Sequence, residues 1–66
     1  MNIVYSSSDS YAPIAGVSIM SLLHNNTDAD EINIYMIDNN ISDENKKRFE
    51  NMVDKFGRKY CFYSPP

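Results

Sequence analysis

The chain has 66 residues, a net charge of −3, one cysteine and one histidine. A chain this short buries only about 60% of the surface its unfolded form exposes, and it lacks both a disulfide partner and a zinc-ligand pattern, so its core is self-sufficient or borrowed. The acidic balance argues against a nucleic-acid partner, no stretch reaches the roughly 20 apolar residues that span a bilayer, and the start lacks a basic region leading into an apolar run, which reads as a cytoplasmic chain.

In chain order, residues 2–6 read as a short apolar strand that runs into the turn Ser6-Ser7-Ser8-Asp9-Ser10. A helix follows, with Asp9 or Ser10 available to cap its first amides and Pro13 placed where a missing N–H costs nothing. It extends to about His24 and is apolar on nearly every side, through Ile14, Ala15, Val17, Ile19, Met20, Leu22 and Leu23. Such a helix calls for cover on both faces. After the polar link 25–30, Ile32, Ile34 and Met36 alternate with Asn33 and Tyr35, which predicts a second strand over 31–37.

Ser42 then offers a cap, and Asp43 and Glu44 put negative charge where the helix dipole favours it. Phe49, Met52, Val53 and Phe56 form one apolar stripe on this second helix, and Gly57 suits its left-handed stop. Residues 59–63 read as a third strand with Cys61 buried among aromatics, ended by Ser64-Pro65-Pro66. The order βαβαβ predicts an α/β, Rossmann-like unit with a three-stranded parallel sheet, a single partial domain over 1–66. In such sheets ligands sit beyond the carboxyl ends of the strands, and here that end is the serine-rich first turn.

The runs Ile3-Val4-Tyr5-Ser6-Ser7-Ser8-Asp9-Ser10-Tyr11-Ala12, Ala15-Gly16-Val17-Ser18-Ile19 and Ile34-Tyr35-Met36-Ile37-Asp38-Asn39-Asn40-Ile41-Ser42-Asp43-Glu44-Asn45 resemble the amino-terminal segment of family 8 glycosyltransferases. These are retaining, metal-dependent enzymes of the GT-A fold, the bacterial galactosyl- and glucosyltransferases and the glycogenins among them. The resemblance covers almost the whole chain, but about the first quarter of a typical member. It implies a UDP-sugar as ligand, with strand-end contacts at Ser6 and Ser7, a polar contact at Ser8 and a base-stacking ring at Tyr11. Many members carry an acidic or amide residue where Ser8 stands, and often asparagine in place of Ser10.

The family's Mn2+ is held by an Asp-x-Asp motif after a later strand and by a distal histidine, so the resemblance implies Mn2+ for the full-length family and none in this chain alone. Asp28-Ala29-Asp30 has the letters of that motif but precedes the second strand, at the wrong end of the sheet. No catalytic residue is assigned: there is no nucleophile with a base and no carboxylate pair set for acid/base work. His24 reads as a cation at a helix carboxyl end, and Lys46-Lys47-Arg48 with Arg58-Lys59 as a solvated face. The sequons at Asn25 and Asn40 read as coincidence.

Two functions compete. One is the donor-nucleotide segment of a glycosyltransferase, inactive by itself; the other is a small non-catalytic module that oligomerises or docks through its exposed apolar surface. A truncated product without function is the third possibility.

Overall fold

A computed structural model describes residues 1–65; Pro66, the last of the three residues expected to end the third strand, lies outside them. Its elements are β1 (Asn2–Ser7), α1 (Ala12–Asn25), β2 (Asn33–Asp38), α2 (Asp43–Lys55) and β3 (Lys59–Tyr63). The strands form one parallel sheet in the order β1-β2-β3, the α/β arrangement that the element order implies.

Register explains which side chains meet the helices. Ile3, Ile34 and Tyr60 stand side by side, as do Tyr5, Met36 and Phe62, and these two rows pack with Ala15, Ile19 and Leu23 of α1 and Phe49 and Val53 of α2 in a single core. Period two sends the next rows to the opposite face. There Val4 pairs with Tyr35 and Tyr35 with Cys61, while Ser6, Ile37 and Tyr63 form the row beyond; Val4 is 64% exposed.

The boundaries move slightly. β1 runs one residue further, to Ser7, and β2 begins at Asn33 rather than Glu31, although Ile32 just before it is buried. A larger correction concerns Cys61, which is exposed on the open face of the sheet. Its neighbours Tyr60 and Phe62 take the places beneath the helices, so alternation turns the thiol outward.

The start of α1 is a second correction. Neither Asp9 nor Ser10 caps it: the cap position is Tyr11, without a side-chain cap hydrogen bond. Pro13 does sit in the first turn, and His24 in the last. Ile14, Val17 and Met20 remain exposed, so the second face of α1 has no cover among the described residues.

α2 follows its sequence pattern closely. Ser42 Oγ accepts from Asn45 N at 3.3 Å, Asp43 and Glu44 occupy the first turn, and Gly57 stops the helix with φ +70°. Lys47, Arg48 and Lys59 are exposed, as a solvated face requires, while Arg58 and Lys46 are part-buried. Arg58 donates to the carbonyls of Asn26 and Thr27 just past the end of α1, and Lys46 lies 3.6 Å from Asp38 and 4.8 Å from the centre of the Phe62 ring.

Tyr60 supplies a test of the packing. Its hydroxyl is buried and has no hydrogen-bond partner among the described residues, and burial, followed by the charges of Glu50 and Asp38, pushes its pKa up to about 12. Raising the pH from 10 toward 12 ionises this tyrosine in the unfolded chain before the folded one, so stability is lost through that window. Urea unfolding at pH 8 and pH 11 should show a smaller alkaline loss for Tyr60→Phe than for the unsubstituted chain.

Candidate functional site

The carboxyl ends of β1 and β2 converge where the chain turns into α1 and α2. Ser7 and Asp38 are register partners there, and Asn39 N donates to the Ser7 carbonyl at 3.0 Å, carrying the strand pairing into the second turn. Asp38 closes that turn: its Oδ1 accepts from Ile41 N at 2.7 Å and its Oδ2 from Ser64 Oγ at 3.3 Å. The Ile41 amide is the main cause holding the Asp38 carboxyl below its ordinary value, with burial opposing and Lys46 assisting. Asn40 takes the left-handed conformation within the turn, φ 65°, which asparagine tolerates better than most side chains.

The four residues assigned to the nucleotide are placed differently from one another. Ser6 faces the open side of the sheet and is exposed. Ser7 is turned inward at 3% exposure, with Oγ donating to the Ser8 carbonyl at 2.8 Å. Its hydroxyl is therefore committed to the turn itself. Ser8 is half-buried; its Oγ accepts from Tyr11 N at 3.3 Å and lies 3.2 Å from Ser10 Oγ. Tyr11 is 48% exposed.

The helix start keeps its own amides occupied. Tyr11 N goes to Ser8 Oγ and Ala12 N to the Asp9 carbonyl, Pro13 has none, and Ile14 and Ala15 both donate to the Tyr11 carbonyl. What the turn presents outward is side chains, namely hydroxyls at Ser6, Ser8 and Ser10 and the ring of Tyr11. That set suits a ribose and a planar base, through hydrogen bonding and stacking.

Asp9, one of the two residues available to cap α1, bonds elsewhere. Asp9 reaches across to α2, where its Oδ1 accepts from Ser42 N at 2.9 Å and from Asn45 Nδ2 at 2.8 Å. Hydrogen bonding from Ser42, and then from Asn45, holds its carboxyl below the ordinary value, against a smaller opposing effect of burial.

The Asp-x-Asp letters at Asp28 and Asp30 stand apart from the first turn. Asp28 and Asp30 precede β2 at its amino end, about 17 Å of strand away from the first turn, and no group of three or more His, Cys, Asp or Glu side chains comes together among the described residues. A groove of about 600 Å³ lies between α1 and α2 over Gly16, Val17, Met20, Phe49, Met52 and Phe56. Its apolar floor offers little to a nucleotide. No helix among the described residues is long and apolar enough to cross a membrane.

A parallel βαβαβ sheet with a polar turn at its carboxyl edge places the chain in the Rossmann-like α/β class that includes the GT-A unit. The family model of glycosyl transferase family 8 matches residues 2–65, and the chain belongs to that family. It is 39% identical over 62 residues to a Haemophilus influenzae protein named "Putative glycosyltransferase", covering 94% of this chain and 18% of that one. It is 42% identical over 57 residues to general stress protein A of Bacillus subtilis, covering 86% and 20%. The chain thus spans about a fifth of the length of these curated relatives. No solved structure gives a significant match.

Proposed function

We propose that the chain is the donor-nucleotide-binding segment of a retaining glycosyltransferase that moves a hexose from a UDP-sugar. The observation that carries this reading is the first turn, with Tyr11 and the hydroxyls of Ser6 and Ser8 at the carboxyl edge of a parallel sheet, in a chain matched to the family over residues 2–65. Tyr11 stacks on the uracil, Ser8 Oγ hydrogen-bonds a base or ribose oxygen, and the backbone at Ser6 and Ser7 borders the base edge. The diphosphate, its Mn2+ and the acceptor belong to residues beyond this segment. By itself the chain binds the nucleotide without turning the donor over.

The exposed Ile14, Val17 and Met20 on α1, with Val4 and Tyr63 on the sheet, favour the second reading, a module that oligomerises or docks without catalysis. A UDP titration of the 66-residue chain, followed by amide NMR with and without Mn2+, separates the two. Metal-independent shifts clustered at residues 6–11 are expected. A well-dispersed spectrum that does not respond to UDP would overturn the donor-site reading in favour of the docking module.

A further inference from the structure

The N-terminus of α2 has an incomplete capping motif. In a capping box the cap serine accepts from the amide three residues on, and the side chain of that third residue returns an acceptor to the amide of the cap. Ser42 performs the first half with Asn45 N. The second half is supplied from elsewhere: Asp9, 33 residues earlier, takes Ser42 N, and the Asn45 side chain donates to the same Asp9 oxygen. One carboxylate oxygen therefore joins the first turn to the second helix, and its charge stands at the helix end where the dipole favours an anion.

Asp9 is flanked on both sides by the residues that the turn presents. Ser8 precedes it, Ser10 and Tyr11 follow, and Ser8 Oγ links to both of these. Holding Asp9 in place restricts where Ser8 and Tyr11 can stand relative to the sheet. Local hydrogen bonds alone fix the shape of the turn; the Asp9 bridge fixes its position.

We infer that Asp9 is a positioning residue for nucleotide binding, acting through Ser42 and Asn45 to hold Ser8 and Tyr11 in a binding-ready arrangement. The inference rests on the donor-site reading above. Without the bridge the turn still forms, but part of the binding energy goes into ordering it.

The test uses UDP titrations of the full 66-residue chain and of Asp9→Ala, Asp9→Asn, Asn45→Ala and the Asp9→Ala/Asn45→Ala pair, with amide spectra recorded before nucleotide is added. Asp9→Ala is expected to lower UDP affinity roughly five- to tenfold, Asn45→Ala roughly two- to threefold because Ser42 N still donates to Asp9, and the pair little more than Asp9→Ala, because Asp9 carries both bonds. Asp9→Asn keeps an acceptor oxygen facing Ser42 N and should restore most of the affinity. In the unliganded alanine variants, shift changes should extend to the amides of Ser8, Ser10 and Tyr11. Unchanged affinity in a folded Asp9→Ala or Asn45→Ala chain would overturn the positioning role while leaving the donor site standing. If Asp9→Ala does not fold, Asn45→Ala decides, since it removes the side-chain half of the bridge from the helix side and leaves the turn sequence intact. A folded unsubstituted chain that ignores UDP would overturn both readings.

Discussion

Ile34→Ala is expected to unfold the chain, or to leave it folded only in part. Ile34 is 0% exposed, lies in the central strand between Ile3 and Tyr60, and belongs to the one core that joins the sheet to both helices. Truncating a buried isoleucine costs about 2–5 kcal/mol, through lost transfer energy and the cavity left behind. A domain of this size has roughly 3–10 kcal/mol of stability in total. The substitution therefore removes a large share of what holds the chain together. Val4→Ala is the matched control: it lies in the neighbouring strand, one position further along the register but on the open face at 64% exposure, and its cost should stay near or below 0.5 kcal/mol. Urea unfolding of the two variants checks the difference, and equal losses would mean that the open face is packed in solution.

The contrast between those two positions marks how far the sequence could be read. α2 was legible to its ends because three independent signals agree there: the Ser42 cap, the apolar stripe through Phe49 and Val53, and the Gly57 stop. β3 was legible as a strand but not in its facing. Lys59-Tyr60-Cys61-Phe62-Tyr63 is apolar at every position after the first, so its pattern does not say which set turns inward, and Cys61 was placed on the wrong side. Ser7 shows the converse. It is in phase with Ile3 and Tyr5, so extending β1 by a single residue would have turned its hydroxyl inward, as observed.

The site was legible to a different degree. A serine-rich turn after a first parallel strand is a generic ligand position, and it was the family resemblance that singled out Ser8 and Tyr11. Asp9, like Ser10, is read from sequence as a possible cap of α1 because sequence reasoning looks for local partners, and its partners are 33 and 36 residues away. A signal was nonetheless present: Ser42-Asp43-Glu44-Asn45 has a cap serine but, at its third following position, an asparagine whose amide can donate where an acceptor is needed. An unfilled half of a local motif points to a distant group that fills it.

Tyr11→Ala should weaken UDP binding by about 1–3 kcal/mol, the range for removing an aromatic surface from beneath a base, or roughly five- to 150-fold in Kd. The fold should survive, because Tyr11 is 48% exposed and stands outside the core. The backbone contributions of this residue, its amide to Ser8 Oγ and its carbonyl to Ile14 and Ala15, are also available to alanine. Tyr11→Phe separates the two ways the ring could act. If the face of the ring carries the interaction, phenylalanine keeps nearly all of the affinity; if the phenol hydroxyl carries it, phenylalanine loses as much as alanine. Stacking predicts the first pattern. Should Tyr11→Ala bind UDP as well as the unsubstituted chain, with shifts still clustered at residues 6–11, the base lies on some other surface and Ser8 and the β1 strand end are left as the whole of the contact.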